Sequence, residues 1–385
     1  MIVIGDETVR LSLFLKWVMN RGFRFFETLL GLEIEQILGF ALFPRFSQRF
    51  FKLCCLAVLM MSVSFWVGCN RSGKNKPAVK AVGIDYSAVK VPVFDADSAF
   101  QYVADQVACG YRTPGSEGQR HCANYLAGKM RQWCDTVIVQ SFTTTLWDKR
   151  EVPGRNIIAS IEGRPGATKR VLLGAHWDSR LWADHDPDKA NHRKPFDGAN
   201  DGASGVGVLM ELARAIATQP LDVAVDFIFF DVEDQGVPDW ADTYEEDSWC
   251  LGSQYWSRHP HVPYYTAVYG VLLDMVGTEQ PRYTKEQISR QYAGNIMNKM
   301  WTAADAIGYG SIFVNSETDP ILDDHYYVNR LAGVPMIDVV QNSRGCSFFK
   351  YWHTMGDNME HVDRTSLKTI GEVLLKLLYG DYGKI

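Results

Sequence analysis

The stretch FIFFDVEDQG at residues 227–236 sets an apolar run directly in front of three carboxylates, Asp231, Glu233 and Asp234. A short apolar run of this kind predicts a buried strand of a sheet. A buried strand that ends in so much negative charge requires a positive group nearby, because an unpaired buried charge is costly. The stretch therefore predicts a strand whose end lies against a cation.

Apolar runs of the same kind alternate with amphipathic segments through most of the chain. Further strands are predicted at 136–142, 155–163, 169–179, 269–277 and 334–340, and helices at 95–110, 117–133, 203–217, 249–259, 285–307, 323–332 and 365–380. Nearly continuous apolar strands that alternate with helices are typical of a sheet covered on both faces. The predicted fold class is α/β: a three-layer sandwich with a central mixed, mostly parallel β-sheet flanked by helices.

The composition fits one large folded domain. The chain has 385 residues, of which 46% are hydrophobic and 12% are aromatic, and its formal net charge is -6. This is enough apolar material for a single core, and we assign residues 93–385 to one domain. The mild acidity argues against nucleic acid as a partner, because nucleic-acid-binding proteins usually present a basic face.

The first 92 residues have a different pattern. Basic residues precede an apolar run at 53–67, and Gly68 and Cys69 follow this run. This order is that of a secretory signal, and its end resembles the lipobox of bacterial lipoproteins, in which the cysteine is lipidated. Residues 1–68 are therefore predicted to be an N-terminal extension with a lipoprotein-type signal segment, and residues 69–92 a polar tether.

This signal predicts where the protein acts. We expect an exported protein of the periplasm or cell envelope, anchored to the membrane through lipidated Cys69. The alternative is an amphipathic or spanning helix that anchors the chain without being cleaved, although the apolar run is short for a span.

Polar side chains follow three of the predicted strands. His176 follows the run VLLGA, Glu233 and Asp234 follow FIFFDV, and Asp274 follows VLL. In an open α/β sheet the ligand crevice lies outside the carboxyl ends of the strands. These four residues are therefore expected to converge on one site.

Five residues suited to zinc stand in this part of the chain: His176, Asp201, Asp234, Asp274 and His353. Zinc takes imidazole and carboxylate ligands, and a catalytic site keeps one position open for water or substrate. Asp201 lies in GANDGASG, whose small residues allow the backbone to fold tightly around a metal. Taken singly, each residue has a simpler explanation; Asp201, for instance, could be the N-cap of the following helix. As a set, the five predict a zinc site.

The ordered motifs GAHWDSR, GANDGASGVGVLMELAR, FDVEDQG, LLDMVG and YWHTMGDN, preceded by the turn YRTPGSEG, resemble the zinc aminopeptidase clan of exopeptidases and glutaminyl cyclases. The resemblance implies that residues 93–385 form a zinc-dependent catalytic domain. It implies Asp201, Asp234 and His353 as primary zinc ligands and Glu233 as the general acid/base. The clan usually has Glu at the position of Asp234, but the shorter side chain still supplies an oxygen ligand.

Two further residues leave the number of zinc ions open. His176 and Asp274 match positions that bind a second zinc in the aminopeptidases and support a single zinc in the cyclases. We place Asp274 with Glu233 among the catalytic residues. One zinc is expected, and two are not excluded.

Three other positions resemble the cyclases more than the aminopeptidases. Trp352 stands directly before His353, the predicted ligand. Trp240 follows soon after Glu233 and Asp234, where the cyclases place an aromatic side chain in the wall of the site. Asp324 matches an acid that lies near the reacting amine in the cyclases. Trp240 and Trp352 are therefore candidate substrate-binding residues, and Asp324 is a third candidate catalytic residue. For both tryptophans a core position is the alternative, and Asp323 could be the N-cap of the helix that Asp324 begins.

The resemblance favours a glutaminyl-peptide cyclotransferase, which converts the N-terminal glutamine of peptides and proteins to pyroglutamate with release of ammonia. In such an enzyme zinc polarises the γ-carbonyl, and Glu233 would carry a proton from the attacking α-amine to the departing ammonia. A zinc aminopeptidase with one or two zincs is the alternative. A zinc-free binding protein on the same scaffold is a third interpretation. The oligomeric state stays open.

An insertion at 181–201 contains His185 and His192 among Asp, Lys and Pro residues. This composition is typical of a solvated loop. The two histidines are therefore not expected to be metal ligands.

Overall fold

The computed structural model describes residues 83–342 and 348–383. Its eight strands are β1 (Thr136–Thr145), β2 (Glu151–Ile161), β3 (Arg170–His176), β4 (Ala224–Phe230), β5 (Tyr269–Asp274), β6 (Tyr283–Lys285), β7 (Phe313–Glu317) and β8 (Met336–Val340). All six predicted strands are present in one sheet. Strands β6 and β7 form a separate pair that the sequence does not predict, because β6 has only three residues and β7 (FVNSE) is mostly polar. The predicted signal segment and Cys69 lie outside the described residues.

The strand order of the main sheet is β1-β2-β4-β3-β5-β8. Strands β4, β3, β5 and β8 run parallel to one another, whereas β1 and β2 form an antiparallel pair at one edge and β2 joins β4 antiparallel. The predicted mixed, mostly parallel sheet is therefore confirmed. Because His176 pairs with Phe230, strands β3 and β4 end level with each other.

The helices cover both faces of the sheet. They are α1 (Ala96–Ala108), α2 (Glu117–Met130), α3 (Ala203–Thr218), α4 (Leu251–Arg258), α5 (Gln287–Ala306), α6 (Asp324–Tyr327) and α7 (Arg364–Tyr382). On β3, Val171 and Leu173 join the core cluster beneath α1, α3 and α7, while Leu172 joins a second cluster with Trp256 of α4. Alternate residues of one strand thus face opposite helical layers. This confirms the predicted three layers.

The described part of the predicted tether packs against the domain. Tyr86 is buried and lies against Gly380 of α7, and Lys376 of the same helix donates hydrogen bonds to the carbonyls of Ser87 and Val89. The folded unit therefore begins about ten residues before the boundary expected at residue 93. Among the helices described in the structure, none is both long and apolar enough to cross a membrane.

Candidate metal centre and active-site cavity

The carboxyl ends of three parallel strands meet at the predicted place. His176 is the last residue of β3, Asp274 is the last residue of β5, and Glu233 and Asp234 follow β4. All four side chains are buried. The side chains of Asp201, from the loop before α3, and His353 complete the group. The structure therefore brings all five predicted metal-binding residues together with Glu233.

Asp201, Asp234 and His353 form a compact cluster in which one ligand atom from each lies within 4.8 Å of the others. His353 Nε2 lies 3.1 Å from Asp234 Oδ1 and 3.8 Å from Asp201 Oδ2. Asp234 Oδ2 is buried and has no hydrogen-bond partner among the described residues. Two carboxylates and one imidazole are a typical donor set for zinc. An orphaned buried carboxylate oxygen is what such a cation would satisfy, so the residues fit a zinc ion.

The loop before α3 aims Asp201 into this cluster. The N-cap of α3 is Gly202, so Asp201 is not the N-cap and its carboxylate is free to face the cluster. The Asp357 carboxylate accepts hydrogen bonds from the backbone N–H of Asn200 at 2.7 Å and of Asp201 at 3.1 Å. A Cβ at Gly202 would lie 2.4 Å from the ring of His176, which explains why a glycine follows the acid.

Arg112 holds the same loop from the other side. Its guanidinium is fully buried and donates hydrogen bonds to the carbonyls of Trp177 at 2.9 Å, Asp197 at 2.6 Å and Gly198 at 2.8 Å. It lies in the turn YRTPGSEG that contributed to the sequence resemblance. Its structural contribution is to tie the end of β3 to the approach to Asp201.

A second group of metal-binding residues shares Asp201. His176 Nε2 lies 2.8 Å from Asp201 Oδ1 and 3.2 Å from Asp274 Oδ1, and His176 Nδ1 lies 3.4 Å from Asp178 Oδ1. The group His176, Asp201 and Asp274 has ligand atoms close enough for a second ion. The two groups are contiguous and share the Asp201 carboxylate, whose Oδ1 faces His176 and whose Oδ2 faces His353.

Glu233 lines the cavity and lies beside His176. Its Oε1 accepts a hydrogen bond from the Cys250 thiol at 3.1 Å, and its Oε2 lies 3.8 Å from His176 Nδ1. The Asp178 carboxylate fixes the backbone by accepting from the N–H of Glu233 at 3.0 Å. Burial raises the pKa of Glu233 well above its usual range, and although His176 opposes this, Asp323 adds to it. A carboxyl group with a raised pKa is suited to accept and return a proton.

Asp231, the first acid of the opening stretch, has a structural task. It is fully buried, and its Oδ2 accepts hydrogen bonds from Gln119 Nε2 at 2.8 Å and from the Arg155 N–H at 2.7 Å. Its Oδ1 accepts from the N–H of Val232 at 2.9 Å. These bonds tie the end of β4 to α2 and β2. The carboxylate therefore supports the turn and does not enter the metal cluster.

The backbone around the site has unusual conformations. Val232, Cys250, Met275 and His353 all have φ between +49° and +57°. Non-glycine residues in this region cost about 1–3 kcal/mol each, and such residues concentrate at functional sites. Each of the four precedes, follows or carries a side chain of the site. The surrounding contacts must therefore stabilise these conformations.

A cavity of about 260 Å³ opens onto the metal cluster. The described residues that line it are Asp201, Glu233, Asp234, Trp249, Asp274, Met275, Pro320, Ile321, Leu322, Asp323, Phe348, Trp352 and His353. Its walls are largely apolar and aromatic, and its floor is acidic. Trp352 lines the cavity, as the sequence analysis expected of a substrate-binding residue.

Trp240 does not line this cavity, contrary to expectation. It lies in a tryptophan cluster, 5.9 Å from Trp147 and 6.3 Å from Trp182 between ring centroids, with the Arg193 guanidinium 3.9 Å above its ring. The wall expected of Trp240 is formed by Trp249, whose ring is nearly parallel to that of His353 at 6.1 Å.

Trp240 is closer than Trp249 to Glu233 and Asp234 in sequence, but it is Trp249 that reaches the cavity. The loop after Glu233 carries Trp240 outward and returns with Trp249. Gly236 permits this return, since a Cβ there would lie 2.0 Å from the Trp249 ring. Gly236, two residues after Asp234, is the signal in the sequence for this return.

Asp323 and Asp324 occupy different positions at the start of α6. Asp323 is the N-cap, as considered above, and accepts from the N–H of Asp324. Asp323 lines the cavity, whereas Asp324 is fully buried and does not. Burial and the neighbouring Asp323 raise the pKa of Asp324 well above its usual range. The acid that reaches the cavity is therefore one residue earlier than the one proposed from the sequence.

The insertion at 181–201 is only partly a solvated loop. Residues 187–190 are exposed, as predicted, but Asp184 and Asp186 are buried. Asp184 pairs with Arg180 through two hydrogen bonds of 2.9 and 2.7 Å. His185 donates no ligand to the Asp201 cluster but lies 5.3 Å from the His353 ring between centroids. The prediction of a solvated loop is wrong at both ends of the insertion: Asp184 is buried in its pair with Arg180, and Phe196 and residues 198–201 are buried as well.

Comparison with known proteins agrees with the geometry. Residues 156–378 match peptidase family M28. A solved structure of Bacteroides thetaiotaomicron glutaminyl cyclase bound to N-acetylhistamine is 46% identical, with 75% of this chain and 99% of that chain covered and a TM-score of 0.73. A Zn-dependent exopeptidase from Parabacteroides distasonis gives the same identity, coverage and TM-score. The glutaminyl-peptide cyclotransferase of Gloydius blomhoffii is 26% identical over 296 residues, covering 68% of this chain and 75% of its own length.

Proposed function

The chain belongs to peptidase family M28, and from this premise we propose that it is a zinc-dependent glutaminyl-peptide cyclotransferase. It converts the N-terminal glutamine of peptides and proteins to pyroglutamate and releases ammonia. The observation that carries the proposal is the placement of one buried carboxyl group, Glu233, beside the Asp201, Asp234 and His353 cluster in a small aromatic cavity. The similarity to glutaminyl cyclase over 99% of that chain supports it.

Each residue has a role in this reaction. Asp201, Asp234 and His353 hold the zinc, which when bound supplies a Lewis acid for the glutamine γ-carbonyl. Glu233 accepts the proton that the substrate α-amine loses as its nitrogen attacks the carbonyl carbon of the γ-carboxamide, Cδ. The same carboxyl group returns the proton to the departing nitrogen, so that ammonia leaves and the ring closes.

The cavity walls account for the choice of substrate. Trp249, Trp352 and Phe348 line an apolar side of the cavity near the acids, which suits a small side chain. Asp323 also lines this space and is placed to bind the α-ammonium group before it loses its proton. Because the ring closure is intramolecular, holding the amine near the γ-carbonyl supplies much of the rate enhancement. Asp274 and His176 orient Asp201 through the short contacts described above.

A zinc aminopeptidase is the second candidate, and one observation favours it. His176, Asp201 and Asp274 form a second group able to hold an ion, which a two-zinc hydrolase would need. The similar exopeptidase from Parabacteroides distasonis points in the same direction.

One assay separates the two reactions. The purified, zinc-loaded protein is incubated with a peptide that begins with glutamine and with a peptide that begins with leucine, and products are analysed by mass spectrometry. The cyclase yields loss of ammonia from the first peptide with no shortening of either. Release of free leucine from the second peptide, with the first unchanged, would replace the proposal with the aminopeptidase.

Export and anchoring form a separate part of the proposal. The order of basic residues, apolar run and Gly68-Cys69 supports a lipoprotein at the cell envelope, where it would modify exported peptides and proteins. Mass spectrometry of the mature protein tests this. A chain that begins at an acylated Cys69 is expected, and an unmodified Cys69 within a longer chain would contradict it.

A further inference from the structure

The ring of His353 has an acidic neighbour on the side away from the metal cluster. Its Nε2 faces Asp234 and Asp201, whereas its Nδ1 lies 3.4 Å from Asp184 Oδ1. Both side chains are almost fully buried, with 2% of His353 and 1% of Asp184 exposed. A buried carboxylate next to the second ring nitrogen of a metal-binding histidine fixes the orientation and the tautomer of the ring, and Asp184 has this position at His353 Nδ1.

Asp184 is itself fixed by strong contacts. Its two oxygens accept hydrogen bonds from Arg180 Nε and Nη2, and Oδ2 also accepts from the N–H of Asp239 at 3.0 Å. The guanidinium of Arg180 donates as well to the carbonyl of Asp234 at 2.9 Å. Arg180 therefore links the backbone of Asp234 to the Asp184 carboxylate, which faces His353. A bidentate pair of this kind holds its geometry well.

The residues next to Asp184 also hold the backbone around His353. The N–H of His185 donates to the carbonyl of His353 at 3.1 Å, and Asp186 Oδ2 accepts from the N–H of Met355 at 2.9 Å. Asp186 is in turn fixed by the N–H of Asp188 and the side chain of Asn191. His353 has a φ of +56°. A non-glycine residue keeps this conformation only when surrounding contacts stabilise it.

We propose that residues 184–186, here called the clamp segment, position His353 for zinc through these three contacts. Asp184 keeps the Nδ1 proton on the far side of the ring, so that the Nε2 lone pair points into the cluster. His185 and Asp186 hold the backbone on either side of the ring. Asp184 is thus a positioning residue, since it acts through His353 and does not line the cavity.

The charge balance supports this assignment. A buried carboxylate beside a metal ligand is stable only if a cation accompanies it, and Arg180 provides that cation at hydrogen-bond distance. The Arg180 guanidinium also stacks 4.6 Å from the Trp249 ring, which is the neighbour of His353 in the cavity wall. The pair therefore braces the ring of His353 from its edge and, through Trp249, from its face.

The test measures zinc affinity of the full chain by competition with a chromophoric chelator. Asp184→Asn keeps the shape but weakens acceptance of the Nδ1 proton, and we expect zinc affinity to fall about 10- to 100-fold. Asp184→Glu restores the carboxylate and should recover part of the loss. The control is Asp188→Asn, an exposed residue of the same insertion that does not contact His353 and should leave zinc affinity unchanged.

Cobalt(II) substitution provides a second readout that does not require activity. If Asp184 orients the ring, Asp184→Asn should shift the visible ligand-field bands, and Asp188→Asn should not. Asp186→Asn, which leaves the Arg180–Asp184 pair intact, should shift them in the same direction by less. This third variant keeps the test decisive if Asp184→Asn does not fold, as judged by circular dichroism.

The inference depends on His353 being a zinc ligand, as stated under the proposed function, and the outcomes separate the two. If His353→Gln leaves zinc affinity unchanged, the ligand set is wrong. If His353→Gln removes zinc but folded Asp184→Asn and Asp186→Asn bind zinc and cobalt as the unmodified protein does, the ligand set stands and the clamp segment is refuted.

Discussion

Two carboxylate–histidine groups share Asp201 and differ in how completely their atoms are paired. Asp201 Oδ1 faces His176 at 2.8 Å, while Asp201 Oδ2 faces His353 at 3.8 Å. In the His176 group, Asp274 and Asp178 complete a closed set of short contacts around the ring. In the His353 group, Asp234 Oδ2 is buried without a hydrogen-bond partner in the part of the chain that the structure describes.

Both histidines are surrounded by carboxylates that favour the protonated ring. Burial alone lowers the pKa of His176, but contacts with Asp178, Asp201 and Asp274 outweigh it and raise that pKa well above its usual range. Burial also opposes the shift at His353, and Asp234 raises its pKa to about 9. A protonated His176 can donate to the carboxylates around it. A protonated His353 still leaves Asp234 Oδ2 without a hydrogen-bond partner among the described residues. The difference teaches that similar residue types can form one self-satisfied group and one that requires a metal ion.

The largest expected effect comes from exchanging the histidine in each group. His353→Gln should lose zinc at concentrations that saturate the unmodified protein, and cyclisation of a glutamine peptide should stop. His176→Gln should keep zinc, because His176 is outside the Asp201, Asp234 and His353 set and the glutamine amide can still donate a hydrogen bond to Asp201. Metal analysis after dialysis measures both. Equal loss of zinc in the two variants would show that the groups form a single binding unit and would break the comparison.

Glu233 lines the cavity but belongs to neither group, so its exchange separates proton transfer from metal binding. Glu233→Gln should reduce kcat by about 10²–10⁴-fold, the usual contribution of general acid–base catalysis. Zinc content should stay the same, because Glu233 is outside the Asp201, Asp234 and His353 set. Ammonia release and metal content are measured on the same sample. Unchanged turnover would remove Glu233 from the mechanism.

Trp249 belongs to the His353 side of the site, and Trp240 does not. Trp249→Leu should lower kcat/KM roughly tenfold, the upper size expected from loss of an aromatic contact worth about 0.5–1.5 kcal/mol. Trp240→Leu is the matched control and should change kcat/KM less, because its ring packs in the cluster with Trp147 and Trp182. Steady-state kinetics with a glutamine peptide decides between them. A larger effect at Trp240 would restore the sequence-based assignment of the cavity wall.

The smallest expected effect concerns the thiol that holds Glu233. Cys250→Ala removes the donor to Glu233 Oε1 and should lower kcat about threefold, since a thiol is a weak donor and a hydrogen bond contributes about 0.5–1.5 kcal/mol. Cys250→Ser retains a donor and should stay close to the unmodified protein. If the alanine and serine variants are equally impaired, the loss reflects packing and not the hydrogen bond.

The fold and the metal cluster were predictable because their signals are local. Strands β3, β4 and β5 are apolar runs, and the site residues at their ends stand directly after such a run, as His176 and Asp274 do. Parallel strands bring those ends together whatever the intervening loops do. The six strands of the sheet and the meeting of Asp201, Asp234 and His353 are therefore confirmed.

The parts that could not be predicted depend on contacts between distant segments. Trp249 replaces Trp240 in the cavity because the loop after Gly236 doubles back. Asp184 is buried because Arg180 neutralises it, although polar residues follow it in the sequence. Asp323, the N-cap of α6, reaches the cavity, whereas Asp324, the first residue of α6, is fully buried and does not line it. Each outcome depends on a partner that sequence spacing does not identify.

Arg112 has a consequence for the local motions of the site. Its three carbonyl acceptors lie on both sides of the site, on Trp177 after β3 and on Asp197 and Gly198 before Asp201. Local opening of the loop would leave two donors of a fully buried guanidinium without acceptors, which makes such opening costly. Hydrogen–deuterium exchange at the amides of Asn200 and Asp201 should therefore be slow and should match the exchange of the sheet core. The metal-binding loop would then have no melting step of its own, and heat would unfold it only together with the whole domain.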